Sequence, residues 1–230
     1  MTRLAWWSGI RALTFDCYGT LVDWETGILR DLRRSLGPAA PADDVLLGLY
    51  ADAESRIEAR SFRPYREVLQ ETFVEIAGAL GLQVRLTGPA FDLPTWPAFP
   101  DTAEALRRLQ SRFMLCITSN VDRDLFAQTE KSLGVRFDEV VTADQVRSYK
   151  PAKAHWTEAM RRLSLGPADV VHVAQSLHHD VVPAKALGIR TVWVDRRAGR
   201  PGGATRAPQG DAKPDLRVTS LAELAELAAP

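Results

Sequence analysis

The chain has 230 residues, 46% apolar and 25% charged, enough for one large domain or a core plus a small second one. Lys and Arg number 29 and Asp and Glu number 29, and this balance argues against broad binding to nucleic acid or to an acidic membrane. Cys17 and Cys116 are too few for a disulfide scaffold, no apolar run has membrane-spanning length, and the first ten residues do not read as a secretory signal, so a cytoplasmic protein is expected.

Leu13-Thr14-Phe15 reads as a short buried strand that ends in the polar turn Asp16-Cys17-Tyr18-Gly19-Thr20. Roughly 80 residues pass before the next core-like helix near Asp101, far more than the dozen or so a crossover needs. Within them Leu46, Leu49 or Tyr50, Ala53 and Ile57 share one helical face, and Leu69, Phe73, Ile76 and Leu80 share another. Residues 24–97 are therefore expected to form a helical cap, inserted after the first strand of a core made of residues 1–23 and 98–230.

Further strands are expected at Phe113 to Ile117, Glu139 to Val141, Asp169 to Ala174 and Arg190 to Val194. Helical patterns follow them: Ala103, Leu106 and Leu109 share a face, as do Trp156, Met160 and Leu163, and the stretches 180–187 and 221–227 also read as helical. Residues 199–214, rich in Gly and Pro, read as a mobile surface loop. Strand then helix, repeated, predicts an α/β fold with a doubly wound parallel sheet.

Polar clusters stand at the strand ends: Asp16 to Thr20, Thr118-Ser119-Asn120, Ser148-Tyr149-Lys150-Pro151 and Gln175 to Asp180. A doubly wound sheet gathers such clusters in one cleft. Taken singly each reads as an ordinary turn, helix cap or solvated loop, whereas their joint order and spacing do not.

The string Phe15-Asp16-Cys17-Tyr18-Gly19-Thr20-Leu21 and the three later motifs resemble those of the haloacid dehalogenase superfamily, in the version of the type II L-2-haloacid dehalogenases. The stretches at 23–28, 96–102 and 176–180 are similar to the azetidine-2-carboxylate hydrolase branch. The resemblance covers nearly the whole chain and implies a Rossmann-like core with a helical cap. It places the nucleophilic carboxylate at Asp16, a cation beside it at Lys150 and a late acid that handles hydrolytic water at Asp180. It also implies that Thr20 and Ser119 position the nucleophile or bind the substrate carboxylate, with Asn120 adjoining them; Tyr18, Ser176 and His179 are further substrate-binding candidates.

A carboxylate attacks carbon only when ionised, and a nearby ammonium favours that state. The resulting ester splits one hard displacement into two easier steps. Its hydrolysis needs a base, a role open to Asp180, and oxyanion donors, expected from backbone amides near Tyr18 or Gly19. The phosphatases of the superfamily carry an acid where Tyr18 stands, and a phenol is a weak proton donor at neutral pH. Where they carry an acidic late motif for magnesium, this chain reads Gln175-Ser176, so no metal and no other cofactor is expected.

The cap arginine of the type II enzymes falls on Ala51 or Asp52, with Arg56, Arg60 or Arg63 as substitutes. His178 and His179 adjoin Asp180 and suit a proton carrier, while His155 and His172 read as structural. Trp24 and Trp96 flank the insertion and read as hinge packing. The expected activity is metal-independent displacement of a leaving group from C2 of a small 2-substituted carboxylic acid. Dehalogenation stands first and ring opening of L-azetidine-2-carboxylate second; a phosphatase or a non-catalytic binding module stands behind both. No nucleic-acid or membrane partner is expected, and the oligomeric state stays open, a homodimer included.

Overall fold

The computed structural model describes the chain except residues 1–4, 84–87, 201–202, 206, 208–211 and 229–230. β1 (Ala12–Phe15) is buried along its whole length. Such a run needs cover on both faces, which the centre of a parallel sheet supplies. β1 pairs in parallel with β2 (Met114–Ser119) on one side and with β4 (Val170–Ala174) on the other. β3 (Glu139–Thr142), β5 (Arg190–Val194) and β6 (Leu216–Val218) complete a six-stranded parallel sheet in the order β3-β2-β1-β4-β5-β6. The winding reverses between β1 and β4, and open α/β sheets bind ligands at the carboxyl ends of strands beside such a reversal.

Helices α1 (Trp24–Leu36), α2 (Asp43–Glu58) and α3 (Tyr65–Ala79) lie between β1 and β2 in sequence. Asp23 caps the first of them, accepting from the Thr26 amide at 3.2 Å. The chain enters and leaves this insertion side by side: the Asp23 amide donates to Pro97 O at 2.7 Å and the Phe99 amide to Leu21 O at 3.0 Å. Leu46, Tyr50, Ala53 and Ile57 of α2 are buried, as are Leu69, Phe73 and Ile76 of α3. Trp96 packs edge-on to Tyr18 and Phe91, and its indole donates to buried Asp31 at 2.8 Å.

The remaining helices serve the sheet: α4 (Thr102–Gln110), α5 (Arg123–Leu133), α6 (Ala143–Val146), α7 (Ala154–Leu163), α8 (Val182–Ala186) and α9 (Leu221–Leu227). Two features depart from the sequence reading: β6, which it did not include, and the stretch 180–187. The stretch 180–187, expected as one helix, is a π-helical turn over Leu177–Val181 followed by α8. The stretch 199–214, expected as a loop, lies partly outside the described residues. Within it Ala204 is buried and the Thr205 hydroxyl donates to Gln175 Oε1 at 3.0 Å, while Gly199, Arg200, Ala207 and Lys213 are exposed. Among the described residues no helix is long and apolar enough to cross a membrane.

Candidate active site

Asp16 follows β1 directly and is nearly buried. The turn after it brings Thr20 back over the carboxylate, and the Thr20 hydroxyl donates to Asp16 Oδ2 at 2.8 Å. The same hydroxyl accepts the Gln175 amide at 2.9 Å, which ties the β1 turn to the end of β4. Gly19 permits this turn with φ +92°; a Cβ there would lie 2.9 Å from Trp24 Nε1. The Gly19 amide, expected as an oxyanion donor, is bonded to Val22 O at 2.8 Å.

Lys150 arrives from beyond α6, and its backbone amide donates to Asn120 Oδ1 at 2.7 Å. The ammonium donates to Asp16 Oδ1 (2.8 Å), Asp180 Oδ1 (2.7 Å) and Thr118 O (3.0 Å). An ammonium has three protons, and these contacts use them all. Burial opposes the Lys150 charge, but Asp16 and Asp180 outweigh it and hold the ammonium above its ordinary proton affinity.

Asp180 sits on the π-helical turn whose first amides Ser176 caps; the Ser176 hydroxyl accepts from the His179 amide at 2.9 Å. Its Oδ1 also meets His172 Nε2 at 2.9 Å, while His172 Nδ1 meets the Thr14 hydroxyl at 2.9 Å. The tautomer that satisfies both partners donates from Nε2 to the carboxylate and accepts from Thr14 at Nδ1. A buried line of contacts therefore runs Thr14–His172–Asp180–Lys150–Asp16 across β1 and β4. Burial opposes the Asp180 charge, yet Lys150 and His172 hold this carboxyl below the ordinary carboxylate range. Asp16 moves the other way: burial, together with the Asp180 charge, outweighs Lys150 and raises it.

These groups line a cavity of about 50 Å³. A water needs roughly 10–15 Å³ on this measure, so the space suits a substrate of few heavy atoms. Of the residues singled out from sequence, Asp16, Tyr18, Ser119, Asn120, Lys150, Ser176, His179 and Asp180 line it. Thr20 stands behind Asp16 as its hydrogen-bond donor. The Tyr18 hydroxyl is turned to Thr129 at 2.8 Å, which leaves the ring as cavity wall. Ser119 Oγ is buried with no partner.

His155 and His172, read as structural, do not line the cavity, although His172 bonds to Asp180. His155 Nε2 lies 3.1 Å from Ser119 O, and burial and Lys150 lower its imidazole to about 3. Trp24, read as hinge packing, also lines the cavity.

The insertion contributes wall residues that the sequence reading missed: Glu54 and Glu58 of α2 and Tyr65 of α3. The basic residues considered there do not reach the cavity. Arg56 pairs with Glu75 at 2.8 Å, Arg63 pairs with Glu71 at 2.7 Å, and Arg60 pairs with both acids. Tyr50 on the same face as Glu54 carried the signal, since residues one turn apart share a face.

The superfamily's phosphatases imply a magnesium ion, and the donor set here does not fit one. The Lys150 ammonium bridges Asp16 and Asp180, the two carboxylates that would hold the cation. Among the described residues no group of three or more His, Cys, Asp or Glu side chains is placed to hold a metal.

Residues 10–188 match the family model of the haloacid dehalogenase-like hydrolases. The chain is 29% identical over 204 residues to (S)-2-haloacid dehalogenase 4A of Burkholderia cepacia, covering 84% of this chain and 86% of that protein. It is 27% identical over 237 residues to (S)-2-haloacid dehalogenase 1 of Pseudomonas sp. strain CBS-3, covering 95% and 96%. Among solved structures, a dehalogenase with intermediate complex superposes with a TM-score of 0.82 at 25% identity, over 96% of this chain and 98% of that one. Sheet order, strand-end residues and relatives of nearly equal length agree: the chain belongs to the haloacid dehalogenase-like hydrolases.

Proposed function

We propose that this protein displaces a leaving group from C2 of a small carboxylic acid through an ester on Asp16, without a metal ion, and that a 2-haloacid is its first substrate class. The observation that carries the reading is the Lys150-bridged Asp16 at the carboxyl end of β1, facing a cavity sized for a small acid. Its relatives named as 2-haloacid dehalogenases favour halide as the leaving group.

In this reading the helical insertion caps the cavity, and Ser119 Oγ donates to the substrate carboxylate. An Asp16 oxygen attacks C2, and the halide leaves with the bonding electrons. Thr20 and Lys150 fix the carboxylate in line with the carbon, and such positioning supplies up to roughly 7–11 kcal/mol of a barrier. Water then adds to Asp16 Cγ, and the hydroxy acid departs with an Asp16 oxygen. Asp180, held at low proton affinity, anchors Lys150 and orients the water more than it stores a proton.

Ring opening of L-azetidine-2-carboxylate is the second reading. It is favoured because Lys150 is the one Lys or Arg among the described residues lining the cavity, and its protons are already shared among three oxygens. A parallel assay of L-2-chloropropionate, monochloroacetate, fluoroacetate, L-azetidine-2-carboxylate and an aryl phosphate tests the substrate class. Single turnover in oxygen-18 water tests the route: label is expected in Asp16 before it reaches product. Label entering product directly, with Asp16 unlabelled, excludes the ester.

A further inference from the structure

α2 places Glu54 and Glu58 one turn apart on one face, and both line the cavity that holds Asp16. Glu54 is buried, and its Oε1 accepts the Tyr50 hydroxyl at 2.8 Å and the Tyr65 hydroxyl at 2.5 Å. Two phenols donating to one oxygen define Glu54 as the carboxylate of the pair. Glu58 is partly buried, and both of its oxygens lie 3.4 Å from the Asn120 amide nitrogen. Among the described residues neither acid forms an ion pair with Lys or Arg, although the Lys150 charge acts on Glu58, while Arg56, Arg60 and Arg63 pair with acids of α3. A largely buried acid pair without an ion-pair partner is costly unless it keeps a proton or receives a cation from a ligand.

The same cavity holds the unpartnered, fully buried Ser119 hydroxyl. A donor for a carboxylate and an acid pair for a cation thus share one small space. A zwitterion satisfies both, whereas a haloacid brings a second negative charge towards the pair. Burial raises Glu54 to about 7 against the pull of Tyr65 and Tyr50, and burial and Glu54 raise Glu58. The other groups facing Glu58 are Lys150, Asn120, Tyr50, Tyr65 and Tyr149.

We propose that Glu58, with Glu54 behind it, is a catalytic acid that binds the basic nitrogen of an amine-bearing carboxylic acid and protonates it as the C–N bond breaks. The proposal rests on the Asp16 ester route and deepens it. The substrate nitrogen enters as an ammonium against the pair. An Asp16 oxygen bonds to carbon, and the C–N electron pair passes to nitrogen, which becomes a neutral amine. That amine takes the Glu58 proton and remains an ammonium beside the Glu58 carboxylate. Water then adds to Asp16 Cγ, and the bond from Cγ to the ester oxygen breaks. One water proton ends on the new hydroxyl; the other ends on Glu58 when Asp16 ionises again. No oxidant or further reactant is needed.

The test compares wild type and Glu58→Gln on L-azetidine-2-carboxylate and L-2-chloropropionate, with oxygen-18 labelling of Asp16 on both. Wild type is expected to open the ring. In Glu58→Gln the ratio of ring-opening to dehalogenating kcat/KM should fall about 100-fold or more, the size of a lost general acid. Asp16→Asn protein should bind L-azetidine-2-carboxylate in calorimetry, and adding Glu58→Gln should abolish that binding. Gln is close to Glu in shape, and an unchanged thermal midpoint checks that the variant folds. Label in Asp16 from chloropropionate with no ring opening overturns the acid role and keeps the ester route. An equal loss on both substrates, or binding indifferent to Glu58, also overturns it. Absence of label with either substrate overturns the ester route, and the step proposed for Glu58 with it.

Discussion

Asp16 and Asp180 share one ammonium, yet their surroundings push them in opposite directions. Asp180 has Lys150 and His172 against it and is lowered; Asp16 has burial and the Asp180 charge against it and is raised. The more basic carboxylate of the two is the proposed nucleophile, and the less basic one holds the lysine. In Asp180→Asn protein, Asp16 loses a repelling neighbour and keeps Lys150, so it ionises at lower pH. A nucleophile must be ionised, so kcat/KM rises as pH rises through the Asp16 pKa. The acid limb is therefore expected to move to lower pH in the variant, with kcat reduced because Lys150 loses one anchor. A pH–rate profile reads this directly, and a limb that stays in place or moves up assigns it to another group.

At the scale of elements, the insertion is attached by close packing rather than by a loose linker. Gly27 of α1 lies against the Trp96 ring, and a Cβ there would come within 2.2 Å of it. Trp96 is held by Asp31 and packs on Tyr18, the cavity wall. Gly27→Ala adds about 1 kcal/mol of helix propensity, but overpacking of this kind costs about 1–3 kcal/mol. A lowered urea midpoint is expected, and a raised one would show that Trp96 yields freely. The sequence shows five of the six strands because each is a largely apolar run without polar alternation that stops at a polar residue or cluster. β6 escapes it, being three residues long with exposed Arg217 at its centre. Asp16 and Asp180 are legible because their motifs follow β1 and β4 of one sheet, and Lys150, which stands beyond α6 rather than at a strand end, because its motif completes the family resemblance. Glu54 and Glu58 are not, because acids at a four-residue spacing read as a solvated helix face until Tyr65 of α3 and Asn120 beyond β2 are seen to bond to them. The Thr205 bond to Gln175 is hidden likewise in a stretch whose Gly and Pro content spells only a loop.

At the scale of the whole molecule, the charge that a metal would bring to the cleft is supplied by a lysine that the chain carries itself. Prolonged dialysis against EDTA is expected to leave kcat and the thermal midpoint unchanged, and added magnesium to raise neither. Loss of turnover with EDTA and its return with magnesium would shift the reading to a phosphatase. The same topology that centres the nucleophile also sets the order in which the molecule can be assembled. β1 is made first, but its second neighbour, β4, lies 158 residues further along at the paired positions Thr14 and His172. At about 5–20 residues per second, a ribosome takes roughly 8–32 s to cover that distance. Throughout that interval the strand destined for the centre of the sheet has at least one edge unpaired, a template for wrong partners. Newborn chains are thus open to mispairing at the strand that leads to Asp16, and whatever shields Ala12–Phe15 during synthesis guards the candidate site.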